Sequence, residues 1–307
     1  MALDKSYFDY PHRSYGMDHD RYDWSMLSDR KQVQWPEGKK LALWVNVPLQ
    51  FFPLNQKGEP FKVPGGMTMP YPDLRHFSLR QYGNRVGIYR FLKAFDQYGI
   101  KPTFAMNTRL AETNPYLLNR IVERGDEISC HGYHMDAIHW NGLGKDAENE
   151  LIKKSLDGLR KLTGQDIKGW LSPAKNESDD TPDLLAANGI EYFSDWVNDD
   201  MPYQFRTSNG ELTAMPLTTE TEDHFVINGN KHSEDAWVEQ VCDAADFLRK
   251  EADTQGGRIL ALNIHPWLLG QPHRIAKLEK ALEYITHIDG VWPAYAGEIR
   301  DNWMSQQ

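Results

Sequence analysis

The sequence predicts a single barrel-like α/β domain, and three observations predict it. From Leu41 to the C-terminus, strand-like apolar runs alternate with amphipathic segments of helical period, the pattern of parallel strands joined by crossover helices. No break in composition divides the seven or eight such units into two lobes. Polar residues, two of them histidines, stand where the strands end, and strand ends are where barrels and open α/β sheets keep their chemistry.

Residues 1–40 come first as an irregular arm, in which Tyr7, Tyr10, Tyr15, Tyr22 and Trp24 recur among charged residues. The arm is expected to lie on the body or on a neighbouring subunit, and residues 41–307 form the domain. Leu41 to Val47 is a continuously apolar, hence buried, strand. Gln50 to Gly83 is rich in Pro, Gly and aromatic residues without a period and reads as a covering loop. Arg85 to Tyr98 has helical period, Pro102 to Met106 is a strand, and Asn114-Pro115 opens a helix that runs to Gly125. Glu127 to Cys130 is a strand. Ala147 to Leu162 is an amphipathic helix whose acidic residues read as a solvated face. Lys168 to Leu171 is a strand, Thr181-Pro182 opens a short helix, and Glu191 to Ser194 and Leu212 to Leu217 are strands. Ser233 to Ala252 is a long helix with acidic residues in its first turn. Ile259 to Ile264, Ile275 to Ile288 and Val291 to Ala294 then give strand, helix and strand.

Length and composition bound the function. A chain of 307 residues buries a substantial core. A formal net charge of −10 disfavours nucleic acid and anionic membranes as partners. Cys130 and Cys242 make neither a disulfide framework nor a C-x-x-C zinc pair. The N-terminus lacks the basic and apolar runs of a signal peptide, and no apolar run is long enough to span a bilayer. The expectation is a cytoplasmic protein acting on a small molecule.

The most telling stretch is Gly125 to His134. Its strand-like run ends on His131-Gly132-Tyr133, His134 follows three residues after the first histidine, and His139 lies beyond. The other strands end on Asn46, Asn107, Ser172-Pro173, Asp195, Thr218 to Glu220, and His265. Each alone has a structural reading as a cap, a turn or a satisfied buried imidazole. Together, converging on one face of a parallel barrel, they exceed what turns require and point to an active site.

In their order these strand-end pieces resemble the polysaccharide deacetylase superfamily, carbohydrate esterase family 4 with the NodB-homology fold. They are most similar to its allantoinase-like and cyclic-imide-hydrolase-like branch. The resembling pieces are Trp35-Pro36-Glu37-Gly38; Gln81-Tyr82-Gly83-Asn84-Arg85-Val86-Gly87; Gly125 to Ile128 running into His131-Gly132-Tyr133; Gly169-Trp170 with Ser172-Pro173; Ser194-Asp195 with Asn198-Asp199-Asp200 and Pro202-Tyr203; and Ile264-His265 with Gly270-Gln271-Pro272. The resemblance implies a distorted (β/α) barrel of about seven parallel strands, often a homo-oligomer (dimer or tetramer). It also implies that His265 acts as general acid.

The resemblance further implies, for metal-dependent members, an Asp after the first strand that binds a divalent ion together with a His-x-x-x-His pair. Here the first strand carries Asn46-Val47-Pro48-Leu49, and Met135 stands four residues after His131, a thioether that hard or borderline cations do not favour. The motif-three arginine is replaced by Leu171. No cofactor is therefore expected as first choice. If a metal such as Zn binds, His131 and His134 are its candidate ligands, with His139 and a distant carboxylate as further possibilities.

The chemistry left open is hydrolysis of a non-peptide C–N bond in a small cyclic amide, imide or ureide. It needs an activated water, an oxyanion donor and an acid for the leaving nitrogen. The candidate catalytic residues are His131, His265 and Asp195. His131 activates water directly or through an ion, and Glu220 or Asp195 orients an imidazole. Asn46, Ser172 and its neighbouring amides, Tyr82, Arg85, Glu220 and Trp267 are candidate substrate contacts. Trp140, Trp196 and Tyr203 also lie just past strand ends, where they stack on a flat ring or simply pack. His139, His224 and His273 read as solvated loop histidines. Two alternatives stay open: a metal-dependent N-deacetylase of a carbohydrate, and a non-catalytic descendant that binds a small ligand.

Overall fold

The computed structural model describes residues 19–62 and 72–307. Tyr7, Tyr10 and Tyr15 of the arm, and residues 63–71 of the covering loop, lie outside the described residues. The body is a curled, mostly parallel sheet that forms a half-barrel wrapped by helices. Its central strand is β1 (Leu41–Leu49), flanked by β2 (Pro102–Met106) and β8 (Arg258–Asn263). Beyond β2 come β3 (Glu127–Cys130), β4 (Gly169–Trp170), β5 (Tyr192–Phe193) and β7 (Gly210–Ala214), all parallel. The short β9 (Val291–Pro293) pairs with the start of β1. Among the described strands one runs the other way: β6 (Tyr203–Thr207) forms a hairpin with β7 at the sheet edge.

The alternation of β1 explains how the half-barrel is filled. All nine of its residues are buried. Leu41, Leu43, Val45, Val47 and Leu49 join the apolar layer under the helices, whereas Ala42 and Trp44 face the inside of the curl. There they meet Ile259, Ala261 and Ala294 and the side chains of a C-terminal helix, α9 (Ala296–Met304). Ile299 and Trp303 of α9 thereby plug the end of the half-barrel where the strands begin. Two positions further along the same face stands Asn46, and then Pro48, which lines an open cavity. A period of two carries one strand face from apolar plug to site.

The helices form where period and caps direct them. In α2 (Ile88–Tyr98), Ile88, Phe91, Leu92 and Phe95 make one buried stripe. Pro115 occupies the first turn of α4 (Pro115–Arg124). The hydroxyl of Ser233 accepts from the amide of Ala236 (3.1 Å) to start α7 (Glu234–Gln255), with Glu234 and Asp235 in its first turn. The remaining crossovers use α5 (Lys145–Thr163), α6 (Thr181–Ala187) and α8 (Ile275–Thr286).

Four elements go beyond the sequence-based expectation: β6, α9, a short α3 (Thr108–Thr113), and α1 (Leu74–Tyr82) inside the supposed covering loop. The buried residues of α1 are His76 and Arg80, so its inner face carries no apolar stripe. A π-helical turn, Gly83–Gly87, joins α1 to α2. Its glycines are needed for close approach, because a Cβ on Gly87 would lie 2.0 Å from the Pro266 carbonyl oxygen.

The described part of the arm lies on the body. Tyr22 packs against Trp196 (5.7 Å between centroids) and Tyr203 (4.8 Å), so these two aromatics have a packing partner in the arm. Arg21 pairs with Asp183 (3.1 Å). No helix among the described residues is long and apolar enough to cross a membrane.

Candidate active site

The carboxyl ends of the strands converge because each strand end is tied to the next. The amide of Asn107 donates to the Leu49 carbonyl (3.1 Å), that of His131 to Met106 (2.9 Å), and that of Leu171 to Cys130 (2.9 Å). Ser194 donates to Trp170 (3.0 Å) and Ile264 to Asn46 (3.0 Å). At this end a cavity of about 480 Å³ opens, with His131, Ser172, Lys175, Glu222, His224 and His265 among its lining residues. Its apolar walls include Pro48, Met135, Leu171 and Phe225, and Arg80 reaches it from α1.

Two imidazoles share this cavity with different wiring. His131 Nδ1 lies 2.7 Å from the Leu171 carbonyl oxygen. A carbonyl only accepts, so Nδ1 carries the proton and Nε2 keeps a lone pair. That Nε2 has no hydrogen-bond partner among the described residues, and burial pushes the His131 pKa down to about 4. Gly132, in the left-handed region at φ 67°, turns the chain away after His131, and a Cβ there would lie 2.8 Å from the Pro173 ring.

His265 is held by a carboxyl group instead. Its Nδ1 lies 2.7 Å from Asp223 Oδ1, and its backbone amide donates to Asp223 Oδ2 (2.8 Å). Burial lowers the imidazole to about 4 and raises the carboxyl to about 8, the latter against the amides of His265 and His224 and the charge of Arg80. Burial therefore favours keeping the proton of the pair on Asp223, an arrangement in which the carboxyl donates to Nδ1 and leaves hydrogen on Nε2. Glu222 Oε1 lies 3.9 Å from His265 Nε2 and 3.9 Å from His224 Nδ1. Burial lowers His224 to about 3.

The other expected residues separate into supports and bystanders. Ser172 lines the cavity, but its amide donates to Asp195 Oδ1 (2.6 Å) and its hydroxyl accepts from Trp170 Nε1 (2.8 Å). Asp195 does not line the cavity; it holds the Ser172 turn from behind, with Glu177 against it. Burial, and then the charge of Asp195, drives the Glu177 carboxyl pKa upward. Asn46 lies one layer below the cavity, its Nδ2 donating to Oδ1 of the lining residue Asn263 (2.8 Å). Trp267 is the platform under Arg80, whose guanidinium carbon sits 3.7 Å from its ring centroid.

Tyr82, Arg85 and Glu220 are corrections. Tyr82 accepts from Arg90 (2.6 Å), away from the cavity. Arg85 is exposed beside a smaller cleft with Phe51 and Asn114. Arg80, Gly83 and Gly87 share the helical face toward the site, which turns Tyr82 and Arg85 elsewhere. Glu220 is exposed and lines a separate cleft with Phe247; the carboxyl that orients His265 comes three residues later, at Asp223.

Two of the loop histidines also sit differently from expectation. His139 is fully buried, with Nδ1 3.1 Å from Glu148 Oε1, while Ser178 and Thr181 donate to the same carboxylate (2.5 Å each). Glu148 is thus an exception to the solvated face of its helix. His224 lines the cavity, and His273 is exposed. Asp223, Glu222, Arg80 and Lys175 were missed; the run Glu222-Asp223-His224 was a local signal for three of the site's groups.

The metal set implied by the resemblance has no counterpart in these side chains. His134 does not line the cavity, and its Nδ1 accepts from the Asp136 amide (3.2 Å). Met135 does line it, and Asn46 is tied to Asn263. Among the described residues, no three His, Cys, Asp or Glu side chains are grouped to hold an ion.

Comparison with known proteins finds similarity to one family over part of the chain. The polysaccharide deacetylase family model matches residues 82–193. A Schizosaccharomyces pombe protein that carries that family's name is 27% identical over 272 residues, covering 81% of this chain and 83% of its own. A peptidoglycan deacetylase of Helicobacter pylori is 25% identical over 263 residues, covering 73% of this chain and 86% of its own. Among solved structures, the PuuE allantoinase superposes with a TM-score of 0.79 at 24% identity, covering 91% of this chain and 95% of that one, a likeness of fold. The fold, the order of strand-end motifs and the matched segment together make this chain similar to the polysaccharide deacetylase family.

Proposed function

We propose that this chain is a hydrolase that cleaves a non-peptide C–N bond in a small cyclic amide, imide or ureide, with His131 as base and His265 as acid. The observation that supports this reading is the opposite wiring of two imidazoles on one cavity: a carbonyl on His131 Nδ1, a carboxyl on His265 Nδ1. Water attacks the ring carbonyl as His131 Nε2 takes its proton. The C–N bond breaks as His265 Nε2 gives its proton to the leaving nitrogen and Nδ1 takes one from Asp223. Transfer of the proton from His131 back to the Asp223–His265 pair through solvent closes the cycle. Asn263, whose Oδ1 is occupied by Asn46, offers its amide group to the developing oxyanion. A cavity of about 480 Å³ suits a small ring rather than a polymer.

The test is turnover of hydantoin, succinimide and allantoin by purified protein, with elemental analysis and a chelator arm. Ring opening of at least one, insensitive to chelator, is the expected result. Stoichiometric zinc with no cyclic-amide turnover would contradict the proposal. The second reading, a metal-dependent N-deacetylase, is favoured by the names of the S. pombe and H. pylori relatives. It predicts release of acetate from N-acetylated sugar oligomers and loss of that activity with chelator.

A further inference from the structure

We propose that Lys175 is a further catalytic residue, its ammonium group donating a hydrogen bond to the oxyanion formed as water adds to the ring carbonyl. The inference rests on the hydrolase reading above and adds a second donor beside Asn263. Lys175 lines the same cavity as His131 and His265. Burial keeps both imidazoles neutral, and the charge of Lys175 acts on each in the same direction, so the ammonium lies within electrostatic reach of base and acid alike. Arg80, which also lines the cavity, is engaged by His76 Nε2 (3.4 Å) and Gln50 Oε1 (3.4 Å). Lys175 Nζ makes one hydrogen bond among the described residues, to the Leu217 carbonyl (2.5 Å), whereas an ammonium has three donors.

The backbone aims this side chain. Ala174 and Lys175 both line the cavity and both adopt left-handed conformations, at φ 60° and 53°. Non-glycine residues occupy that region at a cost, and such residues collect at functional sites. The turn is pinned on either side: the Ser172 amide donates to Asp195 Oδ1 (2.6 Å), and Asn176 Nδ2 donates to the His139 carbonyl (2.5 Å). The Leu217 tether runs from the loop after β4 to the segment after β7 and fixes where Nζ stands. Burial lowers the pKa of the ammonium, while the charges of Glu222 and Asp195 oppose that shift and favour the charged form. A donor held in place before reaction stabilises charge that develops in the transition state without reorganising. As the π pair of the carbonyl moves onto oxygen, Lys175 donates a hydrogen bond to it and keeps its proton. As the pair returns, the C–N bond breaks and the nitrogen takes its proton from His265.

The experiment measures kcat and KM of the full chain and of Lys175→Gly on whichever of hydantoin, succinimide and allantoin the wild type opens. Glycine suits φ 53°, so Lys175→Gly removes the ammonium while keeping the turn. Lys175→Met takes its place if it fails to fold. The expected result is a kcat lowered by about a hundredfold to a thousandfold, the usual cost of one oxyanion donor, with KM within about threefold of the wild type. Ethylammonium should restore part of the kcat of Lys175→Gly, and tetramethylammonium, which has no N–H, should not. A kcat kept within about threefold in a folded variant overturns the inference and leaves the hydrolase reading standing, as does a loss carried by KM alone. Rescue by tetramethylammonium equal to that by ethylammonium also overturns it. Opening of no ring by the wild type removes the hydrolase reading, and this inference with it.

Discussion

The two sides of the cavity hold the same side chain and prepare it for opposite tasks. On the side of β3 and β4, a strand-end carbonyl holds His131; on the side of β8, a buried carboxyl holds His265. Both rings are buried and both are neutral at pH 7, so charge does not distinguish them. The partner of Nδ1 does, because a carbonyl can only receive a proton whereas a protonated carboxyl can give one. A base and an acid thus follow from two hydrogen bonds, without any difference in residue type. The buried His139–Glu148 pair marks the contrast: its carboxylate is saturated by Ser178 and Thr181, burial notwithstanding, and their hydrogen bonds with that of His139 pull its pKa down. It is a packed support, outside the cavity.

The comparison can be broken at several points. His265→Ala and His131→Ala should each lower kcat/KM for the ring substrate by about a hundredfold to ten-thousandfold, the span of general acid–base catalysis, with the fold intact by circular dichroism. Equal and small losses would mean that neither ring transfers a proton. Asp223→Asn keeps the shape and a donor for Nδ1 but has no proton to relay, so a loss of about a hundredfold is expected.

The pH profile sharpens the same point. Wild-type activity requires His131 unprotonated, so it falls as pH drops through about 4. It also requires the proton on Asp223, so it falls as pH rises through about 8. In Asp223→Asn the alkaline limb should disappear while the acid limb stays. Glu222→Gln, removing a carboxylate 3.9 Å from His265 Nε2, should have the smallest effect, about threefold to tenfold in kcat/KM at the screening expected for that distance.

How much of this was legible in the sequence follows from how each residue is positioned. His131, His265 and Ser172 stand at the ends of apolar strands, and strand ends are visible because a buried strand is a continuous apolar run. The half-barrel was legible for the same reason, with β2 and β3 recovered to their observed bounds. Asp223 leads into a π-helical turn, His224–Gly229, in a segment with neither strand nor helical period, so the run Glu222-Asp223-His224 signals clustered titratable groups without tying Asp223 to His265. Arg80 lies on a helix whose buried face is polar, which hides it from hydrophobic patterning. Tyr82 and Arg85 matched a motif, but the glycines of that motif are the residues that face the site. The plug helix α9 was missed although Ile299 and Trp303 are buried, because nine residues give too little period to separate helix from turn.

The most direct test of the central claim observes the ring protons themselves. Two-bond nitrogen–proton spectra of histidine-labelled protein at pH 6.5, assigned with His131→Ala and His265→Ala, report each tautomer without any substrate. The predicted result is His131 protonated on Nδ1 and His265 protonated on Nε2, with His265 passing to the Nδ1–H tautomer as pH rises through about 8 and Asp223 ionises. The same tautomer on both rings at pH 6.5, or an imidazolium at either, would contradict the account.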